Sequence, residues 1–240
     1  MTLPFWVCEL AERFWAAAGP PPPFPRDLAG PVRDALPVSV ARLPGLRLDG
    51  VRAWLARCGI ACPTAEPDRP LRACLFTRCG TGFIFLDAAD PADEQRFSLA
   101  HEVAHFLRDC DAPRRAVARR LGPAALEVLD GTRVPTERER VHAVLRDVSV
   151  TPHVHLLRRD ETGRPDSPAE REAESAADRL AFELLAPADL FRTPVTPAAV
   201  AGRLRAEFGF PSGPAASYAA VVTPDETPTE AFVARLRKSF

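Results

Sequence analysis

No uninterrupted apolar run in the 240-residue chain reaches the roughly 18 residues that a membrane-spanning helix needs, so no transmembrane segment is expected. A positively charged leader is missing as well. Ala16-Ala17-Ala18 hints at a signal peptide, but Glu9, Glu12 and Arg13 interrupt the apolar stretch, and residues 1–19 read as mature protein. Net charge is almost absent, −1 at pH 7, which gives no basic footprint and argues against direct nucleic-acid binding. Cys-x-x-Cys pairs are also lacking. Cys8, Cys58, Cys62, Cys74, Cys79 and Cys110 fall at spacings that fit neither zinc-finger nor redox signatures, and they read as reduced thiols. These absences leave a cytoplasmic globular protein, long enough to bury a full core.

What is present divides into readable segments. Residues 4–18 carry Phe5, Trp6, Leu10, Phe14 and Trp15 among charged residues, an amphipathic helix whose aromatic side must be covered. Pro20 to Pro23, Phe24 and Pro25 then read as a stiff polyproline spacer. Pro31 to Ala61 has a helical pattern, with Leu46, Leu48, Val51, Trp54, Leu55 and Ile60 on one face. Between Arg72 and Asp87 the period changes. Ala73–Phe76 and Phe83–Leu86 flank Cys79-Gly80-Thr81-Gly82, a hairpin whose second strand should be buried on both faces. Arg114, Arg115, Arg119 and Arg120 read as a solvated helix face. Pro135–Val148 reads as a helix and His153–Leu157 as a strand. Further on, Pro197–Phe208 reads as a helix, Ala215–Val222 as a short helix or strand, and residues 224–240 as a polar tail.

Histidine is scarce, five in all, which gives weight to Arg96-Phe97-Ser98-Leu99-Ala100-His101-Glu102-Val103-Ala104-His105-Phe106-Leu107. The segment reads as a helix with Asp90 as N-cap, Pro91 in the first position, and Asp93 and Glu94 at its positive end. His101 and His105, four apart, project from one face and can hold two corners of a tetrahedral zinc site. Glu102 stands about 100° round the helix, where it can act as general base on water that the metal acidifies. Leu99, Val103, Phe106 and Cys110 line the opposite side and should hold the helix to the core.

Two histidines need a further protein ligand. No metzincin-type third histidine follows His105; Asp111 stands in that place. A second helix opens at Ser167 with Pro168 in its first turn and Glu170 completing a capping box. It carries Glu174 and Asp178 on one face, at the edge of an apolar side formed by Ala173, Ala177, Leu180, Ala181 and Leu184. Neutralisation by Arg171 and Arg179 accounts for Glu172 and Glu183 better than for Glu174. Glu174 is therefore the natural third ligand, and Asp178 an acceptor for the N–H of His101 or His105. Glu170, or one of His142, His153 and His155, is the rival. His153, His155 and Tyr218, the one tyrosine, are candidates to stabilise the oxyanion of a tetrahedral intermediate.

Arg96 to Leu107, followed by Glu174-x-x-Ala-Asp-x-Leu-Ala-x-Glu-Leu-Leu-Ala-Pro, resembles the ImmA/IrrE metallopeptidases, as do the hairpin ending in Phe83-Ile84-Phe85-Leu86-Asp87 and the helix at 50–60. The resemblance implies a zincin-like α+β fold, mostly helical, with a three- or four-stranded sheet against the active-site helix. It implies one Zn2+ held by His101, His105 and Glu174, with Glu102 as catalytic base. It also implies a cytosolic endopeptidase that cleaves a helix-turn-helix repressor to derepress stress-response or mobile-element genes. The expected organisation is a helix and spacer over 1–29, the peptidase domain over 30–210 with an insertion at 111–166, and an extension over 211–240. The alternative is a non-proteolytic regulator that binds a transcription factor and whose metal site is structural or vestigial; Glu102 argues against it, because a structural site has no use for that acid.

Overall fold

Segments that alternate apolar side chains between two faces build one sheet, in the order β1-β3-β2. The computed structural model describes residues 3–62, 66–140, 167–191 and 196–223. β1 (Val38–Leu43) runs parallel to the central β3 (Thr81–Asp87), and β2 (Ala73–Arg78) runs antiparallel to it. β2 and β3 form the expected hairpin. Cys79 and Gly80 at its tip have φ of 49° and 77°, the left-handed pair that a two-residue connection requires. Ile84 and Leu86 face the main core, while Phe85 and Phe76 face a second cluster with Leu46, Val51 and Leu55 beneath α3 (Leu48–Arg57). Trp54 anchors that second cluster, its ring edge-on to Phe85 at 5.2 Å.

β1 corrects the helical reading of residues 31–61. Helix is confined to α2 (Ala29–Ala35) and α3. Leu36 is extended ahead of Pro37, and Val38-Ser39-Val40 then pairs with Gly82-Phe83-Ile84. A β-branched alternation this short becomes a strand because a buried parallel partner is waiting for it.

α4 (Ala92–His105) carries both histidines at its C-terminal end. Its start differs by one residue from expectation: Pro91 holds the cap position, with no side-chain cap, and Gln95 Nε2 donates to the Asp90 carbonyl at 2.8 Å. Beyond His105 the chain widens into a π-helical stretch, Phe106–Asp111, then continues as α5 (Ala112–Leu121) and α6 (Ala125–Leu129). Arg114 is not solvated as its cluster suggested; its guanidinium forms a two-pronged pair with Asp130.

α7 (Pro168–Leu185) begins as its sequence predicts. The Ser167 hydroxyl accepts from Glu170 N–H at 3.1 Å, and Glu170 Oε2 accepts from Ser167 N–H at 3.0 Å. Such a cap contributes about 1 kcal/mol. α4 packs along α7. Ala100 and Ala104 on the first and Ala177 and Ala181 on the second are fully buried, and side chains this small let two helices approach closely. A 3-10 turn (Ala188–Phe191) leads on to α8 (Pro197–Phe208), capped by Thr196, and α9 (Ser212–Val222), which is helical where helix and strand were both open.

The main core crosses the segment limits expected at 29/30 and 210/211. α1 (Phe5–Ala18) buries Val7, Leu10, Ala11 and Phe14 and packs on α7, while Ala215, Tyr218 and Ala219 of α9 enter the same core. The proline stretch does more than space the chain. Phe24 packs on Phe208 at 4.5 Å, and Arg26, buried over the Trp15 and Phe24 rings, donates from Nη1 to the Leu184 carbonyl at 2.7 Å.

Candidate metal centre

α4 brings His101, Glu102 and His105 to its last turn and a half, and α7 brings Glu174 and Asp178 alongside. His101 and His105 are 9% and 3% exposed, and Glu102 is 5% exposed. The two Nε2 atoms face each other at 3.1 Å. Glu174 places Oε2 3.2 Å from His101 Nε2 and Oε1 3.8 Å from His105 Nε2. One ligand atom from each of the three residues lies within 4.8 Å of the others. In a tetrahedral site with bonds of about 2.0–2.1 Å, ligand atoms stand about 3.4 Å apart. The donor set and its spacing thus fit a zinc ion.

The far nitrogen of each ring has its own carboxylate. His101 Nδ1 is 2.9 Å from Asp178 Oδ1, and His105 Nδ1 is 3.0 Å from Asp109 Oδ2. An acceptor behind Nδ1 keeps the proton there and leaves Nε2 to donate its lone pair. The electrostatics favour a cation. Burial acts to lower the pKa of His101, but Asp178, Glu174 and Glu102 outweigh it and push it up to about 10. Burial also acts to raise that of Asp109, yet His105 and Arg108 hold its carboxyl below the usual range. Glu102, 5% exposed, lies close enough to His101 for its carboxylate to contribute to that ring's raised pKa.

One comparison with known proteins finds a match over part of the chain. Residues 66–124 match the model for the IrrE N-terminal-like domain, Peptidase_M78. The match supports membership of the ImmA/IrrE family. It spans the β2–β3 hairpin, α4 and α5, and so contains His101, Glu102 and His105 while ending well before Glu174. At family level it supports a metallopeptidase, and therefore a hydrolase with a protein substrate. No curated protein and no solved structure matches the chain.

The shared helix face pointed to Glu174 and Asp178 as partners of the histidines, with Glu174 also implied by the ImmA/IrrE resemblance, and the fold brings all four side chains together. Glu170, the rival ligand, is engaged in the capping box one turn away. Tyr218 is a correction. It is fully buried, stacked on Phe182 at 4.5 Å, with its hydroxyl donating to the Ala186 carbonyl at 2.9 Å. Ala186 ends the helix at the opposite end from Glu174, about 18 Å along its axis, so the hydroxyl serves the core and not the site. His142, His153 and His155 lie outside the described residues. Asp109 escaped the sequence reading, although His105-x-x-x-Asp109 repeats the four-residue spacing that signalled the histidines themselves. No helix among the described residues is long and apolar enough to cross a membrane.

Proposed function

We propose that the chain is a zinc-dependent endopeptidase, that its substrate is a DNA-binding helix-turn-helix repressor, and that the cut derepresses stress-response or mobile-element genes. The convergence of His101, His105 and Glu174 from two helices, with Glu102 beside them, is the observation that carries the enzymatic reading. These three residues would hold one zinc ion. When bound, zinc supplies Lewis-acid chemistry, acidifying water and polarising a carbonyl. Glu102 accepts the proton of the attacking water and returns it to the leaving amine. Its burial limits competition from bulk solvent for that proton. Asp178 and Asp109 hold the imidazole rings in place meanwhile. The repressor as substrate rests on the family resemblance alone.

The test compares the wild-type chain with Glu102→Gln, each loaded with zinc and incubated with a candidate helix-turn-helix repressor from the same genome. Mass spectrometry should find one defined cut with the wild type, abolished by a chelator. Glu102→Gln should keep its zinc and cut about 10²–10⁴-fold more slowly. Cleavage by zinc-loaded Glu102→Gln at the wild-type rate overturns the mechanism.

A further inference from the structure

His105 is tied to the opposite helix through two residues that no ligand set requires. Asp109 lies on the π-helical stretch that follows α4, and π-turns recur at functional sites. Side chains four apart share a face and lean back towards the helix N-terminus, so Asp109 reaches the His105 ring from one turn beyond. Its Oδ2 lies 3.0 Å from His105 Nδ1, and its Oδ1 accepts from Arg108 Nε at 2.6 Å. Arg108 then crosses to α7, where Nη1 donates to the Ala173 carbonyl at 2.6 Å. Ala173 immediately precedes Glu174. The connection is sheltered, with the His105 side chain 4% and that of Asp109 15% exposed.

We infer that Arg108 and Asp109 are positioning residues of the metal centre: Asp109 sets the tautomer and plane of His105, and Arg108 holds that ring in register with Glu174. The inference rests on the metal-centre reading above. His101 meets α7 directly, through Asp178. His105 has no such partner on α7 for its Nδ1 and reaches that helix by relay, from Asp109 to Arg108 to the backbone beside Glu174. The relay makes ligands on two helices parts of one hydrogen-bonded chain. A planar guanidinium suits this role because Nε and Nη1 donate in different directions at a fixed separation, which a lysine ammonium cannot reproduce. Neither residue belongs to the three-residue ligand set.

The test measures zinc affinity by competition with a chromogenic chelator, on full-length Asp109→Asn, Asp109→Ala, Arg108→Lys and Arg108→Gln, beside the unfolding midpoint of each metal-free protein. Asp109→Ala should bind zinc about 10–100-fold more weakly. Asp109→Asn, which keeps an acceptor for Nδ1, should lose less. Arg108→Lys should fall with Arg108→Gln and not with the wild type. Arg115→Gln, whose contact is with Asp111 on the same stretch, should bind as the wild type does. A merely structural role lowers midpoints without ordering the affinities in this way. Wild-type affinity in Asp109→Ala overturns the inference and leaves the metal centre standing; a wild-type chain that binds no zinc overturns both. If Asp109→Ala does not fold, wild-type affinity in Asp109→Asn and Arg108→Lys together overturns it.

Discussion

Gly82 lies directly beneath Phe106: a Cβ at Gly82 would stand 2.9 Å from Phe106 Cδ2 and 3.0 Å from Val38 Cγ2. Phe106 follows His105 in the chain and is 1% exposed. The missing side chain on the central strand therefore sets how closely the histidine-bearing helix settles on the sheet.

Substitution at Gly82 should consequently destabilise. At an open strand position Gly→Ala helps slightly by restricting the unfolded chain, so the sign of the effect reports the contact. Gly82→Ala should cost about 1–3 kcal/mol by overpacking, read as a lowered urea midpoint. Phe106→Leu in the Gly82→Ala background should recover part of that loss, because the nearest of the atoms in conflict belongs to the ring while Val38 Cγ2 stays in place.

Signals that act over a few residues were legible in the sequence. The His101–His105 spacing, the Ser167–Glu170 capping box and the glycine-bearing turn at Gly80 each follow from local geometry, and the structure contains all three. β1 was not legible, because Val38–Leu43 becomes a strand through a partner some forty residues away in sequence, at Gly82–Asp87. Asp109 was not legible for a different reason: α7 supplies the acceptor for His101, Asp178, whereas the acceptor for His105 sits one turn along its own helix. The place of Tyr218 is wholly tertiary, since stacking on Phe182 and Phe210 decides it.

The two acids of α7 should separate by experiment. Glu174 faces both Nε2 atoms, whereas Glu170 caps the helix. Glu174→Ala should lose the bound zinc, counted per chain by elemental analysis. Glu170→Ala should keep the zinc and lose about 1 kcal/mol of stability with its capping box. The reverse result transfers the ligand role to Glu170.

Proton and metal should compete for His101. Its pKa in the folded, metal-free chain is about 10, above an unfolded value of about 6.5. A raised folded pKa means that its contribution to stability is fully present below about pH 6.5 and is lost as pH climbs through about 10. The urea midpoint of the metal-free protein should fall over that window, and fall less in His101→Gln. Zinc needs the proton gone, so its affinity should rise over the same window, by up to about tenfold per pH unit for one displaced proton. A zinc affinity independent of pH between 6.5 and 9 contradicts the competition.

Tyr218→Phe separates a core hydroxyl from a catalytic one. Burial first, and the neighbouring Glu183 carboxylate next, push the phenol well above its ordinary range, so it stays a neutral donor to the buried Ala186 carbonyl. Removing the hydroxyl leaves that carbonyl without this donor and should cost about 1–3 kcal/mol of stability. Zinc affinity and kcat should be unchanged below the unfolding temperature. An oxyanion donor behaves in the opposite way, with kcat down about 10²–10³-fold and stability little altered. A loss of kcat on that scale in folded, zinc-loaded Tyr218→Phe would return the tyrosine to the active site and require the C-terminal end of α7 to approach Glu102.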